Sequence, residues 1–360
     1  MVIKIDGENL DDIDDVGRHL IYGGSGVGKT RFLTSIPLYP LSKKVPPEEI
    51  KVIVLDFDKG IRKNLKSYPP SYTRFFEIYM INDMNDVREA SELIVAEVEK
   101  FIEEYNKKPY LAIDNNAKWW EMSQDDFIQQ AYDMNMAERT VVEVRSRILH
   151  KQDESVPVVF KSMTEDWQGI KALHKYYRDK IYNCGANLVV TSTAKGLMEK
   201  HGGKYEVVES IPGGEKEDRE GYPFDFISYM AVSTEKSEVT GLNKVMSETI
   251  MHYYMIVTKS RISPKIKKFI DDNINFKNYM EWIEKRIAKN RELFMEQQDD
   301  VINAVLSVMN TGGAQLEEDD AVIKAMEDRN RILDDDESET EDISMSEKPN
   351  KGGNDDLDDI

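Results

Sequence analysis

Gly23-Gly24-Ser25-Gly26-Val27-Gly28-Lys29-Thr30 fits the pattern G-x-x-x-x-G-K-[ST] at every position. The residues before it, Arg18-His19-Leu20-Ile21-Tyr22, read as a strand, and 30–36 reads as a helix that stops before Pro37. Strand, glycine-rich turn and helix, in that order, are the context the pattern needs. Glycines let the backbone curl so that its N–H groups converge on phosphate oxygens. A helix start adds the positive end of its dipole. Lys29 is placed to reach β- and γ-phosphates, and the Thr30 hydroxyl to coordinate Mg²⁺. The expected cofactors are ATP and Mg²⁺, cradled by Gly23, Gly24, Ser25, Gly26, Val27, Gly28, Lys29 and Thr30. The alternative is a glycine-rich turn that fell between a strand and a helix by accident.

Outward from this loop, strand and helix signals alternate, which predicts an α/β domain with a mainly parallel sheet flanked by helices. Val52-Ile53-Val54-Leu55 is an apolar run ending in Asp56-Phe57-Asp58, as expected of a strand buried on both faces. Helical spacing runs over 87–105, with apolar residues at Val87, Ala90, Leu93, Ile94, Val98 and Ile102. Tyr110-Leu111-Ala112-Ile113 is a further buried strand, ending in Asp114. Residues 117–150 read as largely helical, 166–183 as another helix, and Asn187-Leu188-Val189-Val190-Thr191 as a fourth strand. Residues 196–222 read as a mobile loop or hairpin. The stretches 226–232 and 250–258 look like paired strands closing the sheet, and 275–309 is predicted mostly helical. The predicted organisation is an ATPase domain over 1–270 with a helical insertion at 117–165, a helical extension over 271–316 and an acidic, largely disordered tail over 317–360.

A phosphate-binding loop needs acidic partners. Asp114, at the end of a buried strand, has the form of a carboxylate held near Mg²⁺; the alternative is an Asp that merely opens a turn. Asp56 and Asp58 end a strand whose carboxyl end opens on the same crevice in a parallel sheet. Either carboxylate can orient an attacking water, and Asp58 is the one singled out.

The ordered set resembles the RecA-type P-loop ATPases: the loop, the Asp-x-Asp strand, Leu-Ala-Ile-Asp at 111–114, Val-Val-Thr-Ser-Thr at 189–193, and Val-Thr-Lys-Ser-Arg at 257–261. More narrowly, it is similar to phage and archaeal proteins of the Sak group, the single-strand annealing and recombination-mediator ATPases. The likeness covers about 19–262, with Asp166-Trp167 also fitting. It implies a RecA-like fold, ATP hydrolysis, single-stranded DNA as a partner, and a homo-oligomeric ring or filament. It implies that Asp114 is the Walker B residue, that Asp58 activates water where RecA carries the longer Glu, and that Thr193 is a polar sensor. It also implies that Lys259 and Arg261 reach a neighbouring subunit's nucleotide; a basic strand end on a solvated surface is the alternative. Lys265, Lys267 and Lys268 extend that basic run, which can follow a nucleic-acid backbone. The 196–222 segment stands where such folds present a DNA-binding loop, and its mixed charge equally describes a plain hairpin. Of Trp119-Trp120, adjacent on a helix, one is expected in the core and the other exposed, where it can stack on a base.

Composition bounds these readings. The chain has 360 residues, a net charge of −20 and 40% hydrophobic residues, an ordinary globular composition. The acidity is concentrated: 317–360 carries 18 acidic and 5 basic residues, so the body is only mildly acidic. One cysteine, Cys184, excludes an internal disulfide framework and is expected as a small core residue. No apolar run reaches the ~18 residues of a membrane span, and Val2-Ile3-Lys4-Ile5 does not look like a signal peptide, so a cytoplasmic setting is expected. Three other function classes remain: a small-molecule kinase, a packaging-motor ATPase, and a nucleotide-dependent switch with weak hydrolysis. The first would need a lid with arginines and a compact acceptor pocket, which the helices after Asp114 and the long C-terminal helix do not suggest. The second has little room for an appended nuclease domain.

Overall fold

A computed structural model describes residues 17–158, 164–201, 204–219, 221, 223–241, 244–260, 268–270 and 274–289. The sequence forms a nine-stranded mixed sheet flanked by helices. Chain order is β1 (Arg18–Gly23), α1 (Lys29–Thr34), α2 (Leu38–Ser42), β2 (Val52–Asp56), α3 (Ile61–Leu65), α4 (Pro70–Thr73), β3 (Phe76–Met80), α5 (Met84–Tyr105) and β4 (Tyr110–Asp114). It continues through α6 (Asn116–Tyr132), α7 (Met136–Gln152), α8 (Thr164–Tyr182), β5 (Asn187–His201), β6 (Lys204–Pro212), α9 (Lys216–Arg219), β7 (Phe226–Gly241), β8 (Lys244–Ser260) and β9 (Lys268–Ile270). A last described helix, α10, spans 276–289.

The spatial order is β3-β2-β4-β5-β1-β7-β8-β9, with β6 paired to β5 off this path. The first six run parallel; β8, β9 and β6 are antiparallel to their neighbours. Side chains alternate between two cores, as a sheet covered on both faces requires. Ile21, Val52, Val54, Tyr110, Ala112 and Val189 face one core, shared with α1, α3 and α10. Leu20, Ile53, Leu55, Leu111, Ile113, Leu188 and Val190 face the other, shared with α5, α6 and α8. Helix α10 is held by Tyr279, whose hydroxyl lies 3.0 Å from Ser228 Oγ and 3.3 Å from His19 Nδ1.

Several expectations change in detail. The 117–150 stretch is two helices, because Asp133 adopts φ 55° and Asn135 opens α7 with a capping box closed by Glu138. Strand β3, absent from the sequence reading, forms the sheet edge beside β2. In the 196–222 segment the expected hairpin forms, and a short helix follows it. Strand β5 runs to His201 and turns into β6, with α9 after it. Strands β7 and β8 also extend far past 226–232 and 250–258. Both neighbours of β1 therefore overrun it. Gly23 pairs with Thr193 on one side and Met230 on the other, and each flanking strand continues as an antiparallel ribbon. At ~3.3 Å per residue, 194–201 adds about 25 Å and 231–241 about 35 Å. Within the expected 271–316 extension, 276–289 packs on the sheet through Phe276, Tyr279, Met280 and Ile283. The acidic tail lies outside the described residues. No described helix is long and apolar enough to cross a membrane.

Inside the second core, His174 is fully buried beside Trp119, with Nδ1 3.0 Å from Ser123 Oγ. Burial, with Arg178 nearby, pushes its pKa down to about 3. Between that value and 6.5 the unfolded chain takes up a proton that the folded chain refuses, so stability falls as pH drops. We expect the stability difference between wild type and His174→Gln to shrink by about 2 kcal/mol from pH 7 to pH 5. Urea unfolding at both pH values reads it, and an unchanged difference contradicts it.

Candidate functional site

The carboxyl ends of β1, β2 and β4 open on one edge of the sheet beside Thr191–Thr193 of β5, and the 23–30 loop leaves β1 there. A Cβ at Gly23 would stand 2.2 Å from the Met230 carbonyl oxygen, so only glycine lets β1 lie this close to β7. Gly28 adopts φ 98° and turns the chain into α1, a six-residue helix. Lys29, its first residue, folds back over the loop: Nζ donates to Gly23 O at 2.9 Å and to Gly24 O at 2.6 Å. Burial pushes the ammonium pKa down, while the Asp114 and Asp58 carboxylates pull it up.

Asp114 is the centre of the site. It is buried, and both carboxylate oxygens accept from hydroxyls: Oδ2 from Thr30 at 2.9 Å and Oδ1 from Thr191 at 2.6 Å. Burial raises its pKa above the usual carboxylate range. The two hydroxyl donors oppose that shift, and the carboxylates of Asp58 and Asp56 add to it. Thr191 was not singled out in the sequence. The signal was available, because Thr191 and Thr193 share one face of a period-two strand. Thr193 itself is exposed beside Gly23, and its carbonyl accepts from Gly213 N at 2.7 Å.

The two Asp-x-Asp carboxylates separate. Asp56 is fully buried and accepts from the backbone N–H groups of Gly60 (3.1 Å) and Ile61 (3.2 Å) at the start of α3. It is a structural residue that holds Gly60 against Thr30 and Asp114; a Cβ on Gly60 would lie 3.4 Å from Thr30 Oγ1. Asp58 is exposed on the loop after β2 and accepts from Asn115 Nδ2 at 3.1 Å. Asn115 also caps α6, its Oδ1 accepting from Ala117 N at 2.9 Å. The Asp114 carbonyl receives Phe57 N and Asp58 N, which ties the ends of β2 and β4 together. Lys29, Thr30, Asp58, Asp114 and Thr193 are thus gathered on one edge.

Lys259 is not brought there. It pairs with Ile227, which pairs with Leu20, and its Nζ lies beside Gly221. Since β8 runs antiparallel to β7, its last residues return to the amino-terminal edge of the parallel strands. Within one chain Lys259 therefore lies at the edge opposite the 23–30 loop. Arg261, Lys265 and Lys267 lie outside the described residues. Trp119 is fully buried and stacks on Phe57 at 5.6 Å, while half-buried Trp120 stacks on partly exposed Trp167 at 6.1 Å. Cys184 is half-buried against the second core, and burial raises its thiol pKa.

Neither a family model nor a curated protein sequence matches this chain.

Proposed function

We propose that this chain binds and hydrolyses ATP with Mg²⁺ at the 23–30 loop, as a RecA-like P-loop ATPase. The observation that carries the reading is the chain Thr30–Asp114–Thr191 next to Lys29, on the strand edge where α/β sheets bind ligands. The donor set fits the metal. A hydroxyl and a carboxylate are hard oxygen groups, and Mg²⁺ completes its shell with waters and phosphate rather than a protein cage. Among the described residues no cluster of three or more His, Cys, Asp or Glu competes as a metal site.

In this mechanism the loop amides orient the phosphates. Lys29 exchanges the Gly23 and Gly24 carbonyls for β- and γ-phosphate oxygens. Thr30 and Asp114 would hold Mg²⁺, the Thr30 hydroxyl as an oxygen donor and Asp114 as the carboxylate that keeps that hydroxyl in place. Bound Mg²⁺ supplies positive charge for the phosphoryl group as it transfers. Asp58, facing solvent, is the carboxylate left to orient water. Lys259 and Arg261 act, on this reading, in the site of a neighbouring copy. Single-stranded DNA as partner, and recombination or annealing as context, follow from the family resemblance.

A second reading, a nucleotide switch with weak hydrolysis, is favoured by Asp58: its side chain is short, and it is already engaged by Asn115. One assay separates the two: ATP binding and turnover with and without single-stranded DNA, at two salt concentrations. Mg²⁺-dependent turnover that rises with DNA, more at low salt, is the expected result. Tight binding without turnover selects the switch, and failure to bind ATP removes both.

A further inference from the structure

Helix α7 reverses the usual polarity of a surface helix. The side chains it buries are Arg139, Glu143 and Ser146. The fully enclosed Arg139 guanidinium bonds Glu143 at 2.9 Å and Asp166 of α8, above the ring of Tyr132, whose hydroxyl donates to Asp166 at 2.6 Å. On the outer side Val141 is 65% exposed, Ile148 52% and Val144 49%, with Leu149 and Val142 next to them. Drawing an ion-pair cluster inward carries a desolvation penalty, and leaving aliphatic side chains in water forfeits about 25 cal/mol per Å². Both make sense for a helix whose outer face is covered in the working assembly.

The pattern on that face names its cover. Ala137, Val141, Val144 and Ile148 recur at spacings of four, three and four, the seam of a coiled coil. Glu138 and Arg145 flank one side of the seam, seven residues apart, both exposed. If two such helices run antiparallel with Val141 opposite the partner's Val144, Glu138 falls beside the partner's Arg145. Two-fold symmetry makes the pair twice. A parallel pairing sets Arg145 against the partner's Thr140 and offers no opposite charge. Glu138 keeps one carboxylate oxygen for this contact, the other accepting from Asn135 N at 2.9 Å.

We propose that α7 is a self-docking helix: two copies of this chain associate antiparallel through Ala137, Val141, Val144 and Ile148, with reciprocal Glu138–Arg145 ion pairs. The contact is independent of the nucleotide reading, because none of these residues belongs to the 23–30 site.

Sedimentation equilibrium of the full chain tests it, using wild type, Glu138→Arg, Arg145→Glu and the double reversal. Wild type should dimerise. Each single reversal, which sets like charges together twice, should weaken association at least about tenfold. The double reversal should restore it to within a few-fold, which loss of the α7 cap alone cannot do. Val144→Lys should weaken association without lowering the melting temperature of the monomer. Equal association of all four charge variants overturns the proposal, as does a wild type that stays monomeric at every concentration. In that monomer, a stability loss on Val144→Lys would assign the cover to the same chain, and unchanged stability would assign it to a different protein.

Discussion

Lys29→Ala should lower ATP turnover by about 100- to 1,000-fold, the range for removing one preorganised charge-stabilising donor from a reacting centre. Lys29 is the cation the structure holds over the 23–30 loop, with its ammonium on the Gly23 and Gly24 carbonyls. No other described lysine or arginine donates to those carbonyls. The fold should survive, since α1 is anchored by buried Phe32 and Leu33 rather than by Lys29. Turnover and nucleotide affinity measured on the folded variant are the check. Values near wild type would remove the assignment of the loop.

Asp114→Asn should reduce Mg²⁺-dependent turnover by about 100-fold while changing nucleotide affinity only a few-fold, because Asn keeps the shape and loses the charge that organises the metal's shell. The same substitution should raise stability at neutral pH. The sign follows from burial. Asp114 has a raised pKa in the folded chain, so above the unfolded pKa its ionised form opposes folding, and that opposition is relieved as pH falls. In the metal-free wild type, burial makes Asp114 take up a proton above the usual carboxylate range, so Mg²⁺ affinity should fall on acidification. Metal titrations at several pH values, with thermal melts of both proteins, test the pair of effects. Equal turnover at limiting Mg²⁺ would remove Asp114 from the site.

The parts of this site legible in the sequence were those set by local rules. The eight-residue loop needs glycines at fixed places, and buried parallel strands announce themselves as apolar runs ending in Asp. The runs at 52–55 and 110–113 therefore located β2 and β4 to within a residue. Strand β3 escaped because Phe76–Met80 is half-exposed at the sheet edge and lacks such a run. Asp58 was the carboxylate the sequence favoured for orienting water, but the structural task of Asp56 was illegible. It depends on which carboxylate meets the free N–H groups of α3, a matter of tertiary placement. Thr191 was legible only as a neighbour of Thr193 on one strand face; its bond to Asp114, 77 residues away in the chain, was not. The outward apolar face of α7 was masked too, since its helical periodicity is ordinary and only burial shows which side is inside.

The position of β1 has a consequence for synthesis. Its two neighbours lie far downstream: Arg18 pairs with Leu188, and His19 with Phe226. Strands β2, β3 and β4 can find one another early in translation, whereas β1 must wait for β5 and then β7. At 5–20 residues per second, that wait is on the order of 10–40 s. During it, the nascent chain has neither the strand that seats Gly23 against Met230 nor the strand that carries Thr191 to Asp114. Long-range closure of this kind slows folding. A chain stopped before β7 therefore carries every residue of the loop and lacks the wall that shapes it.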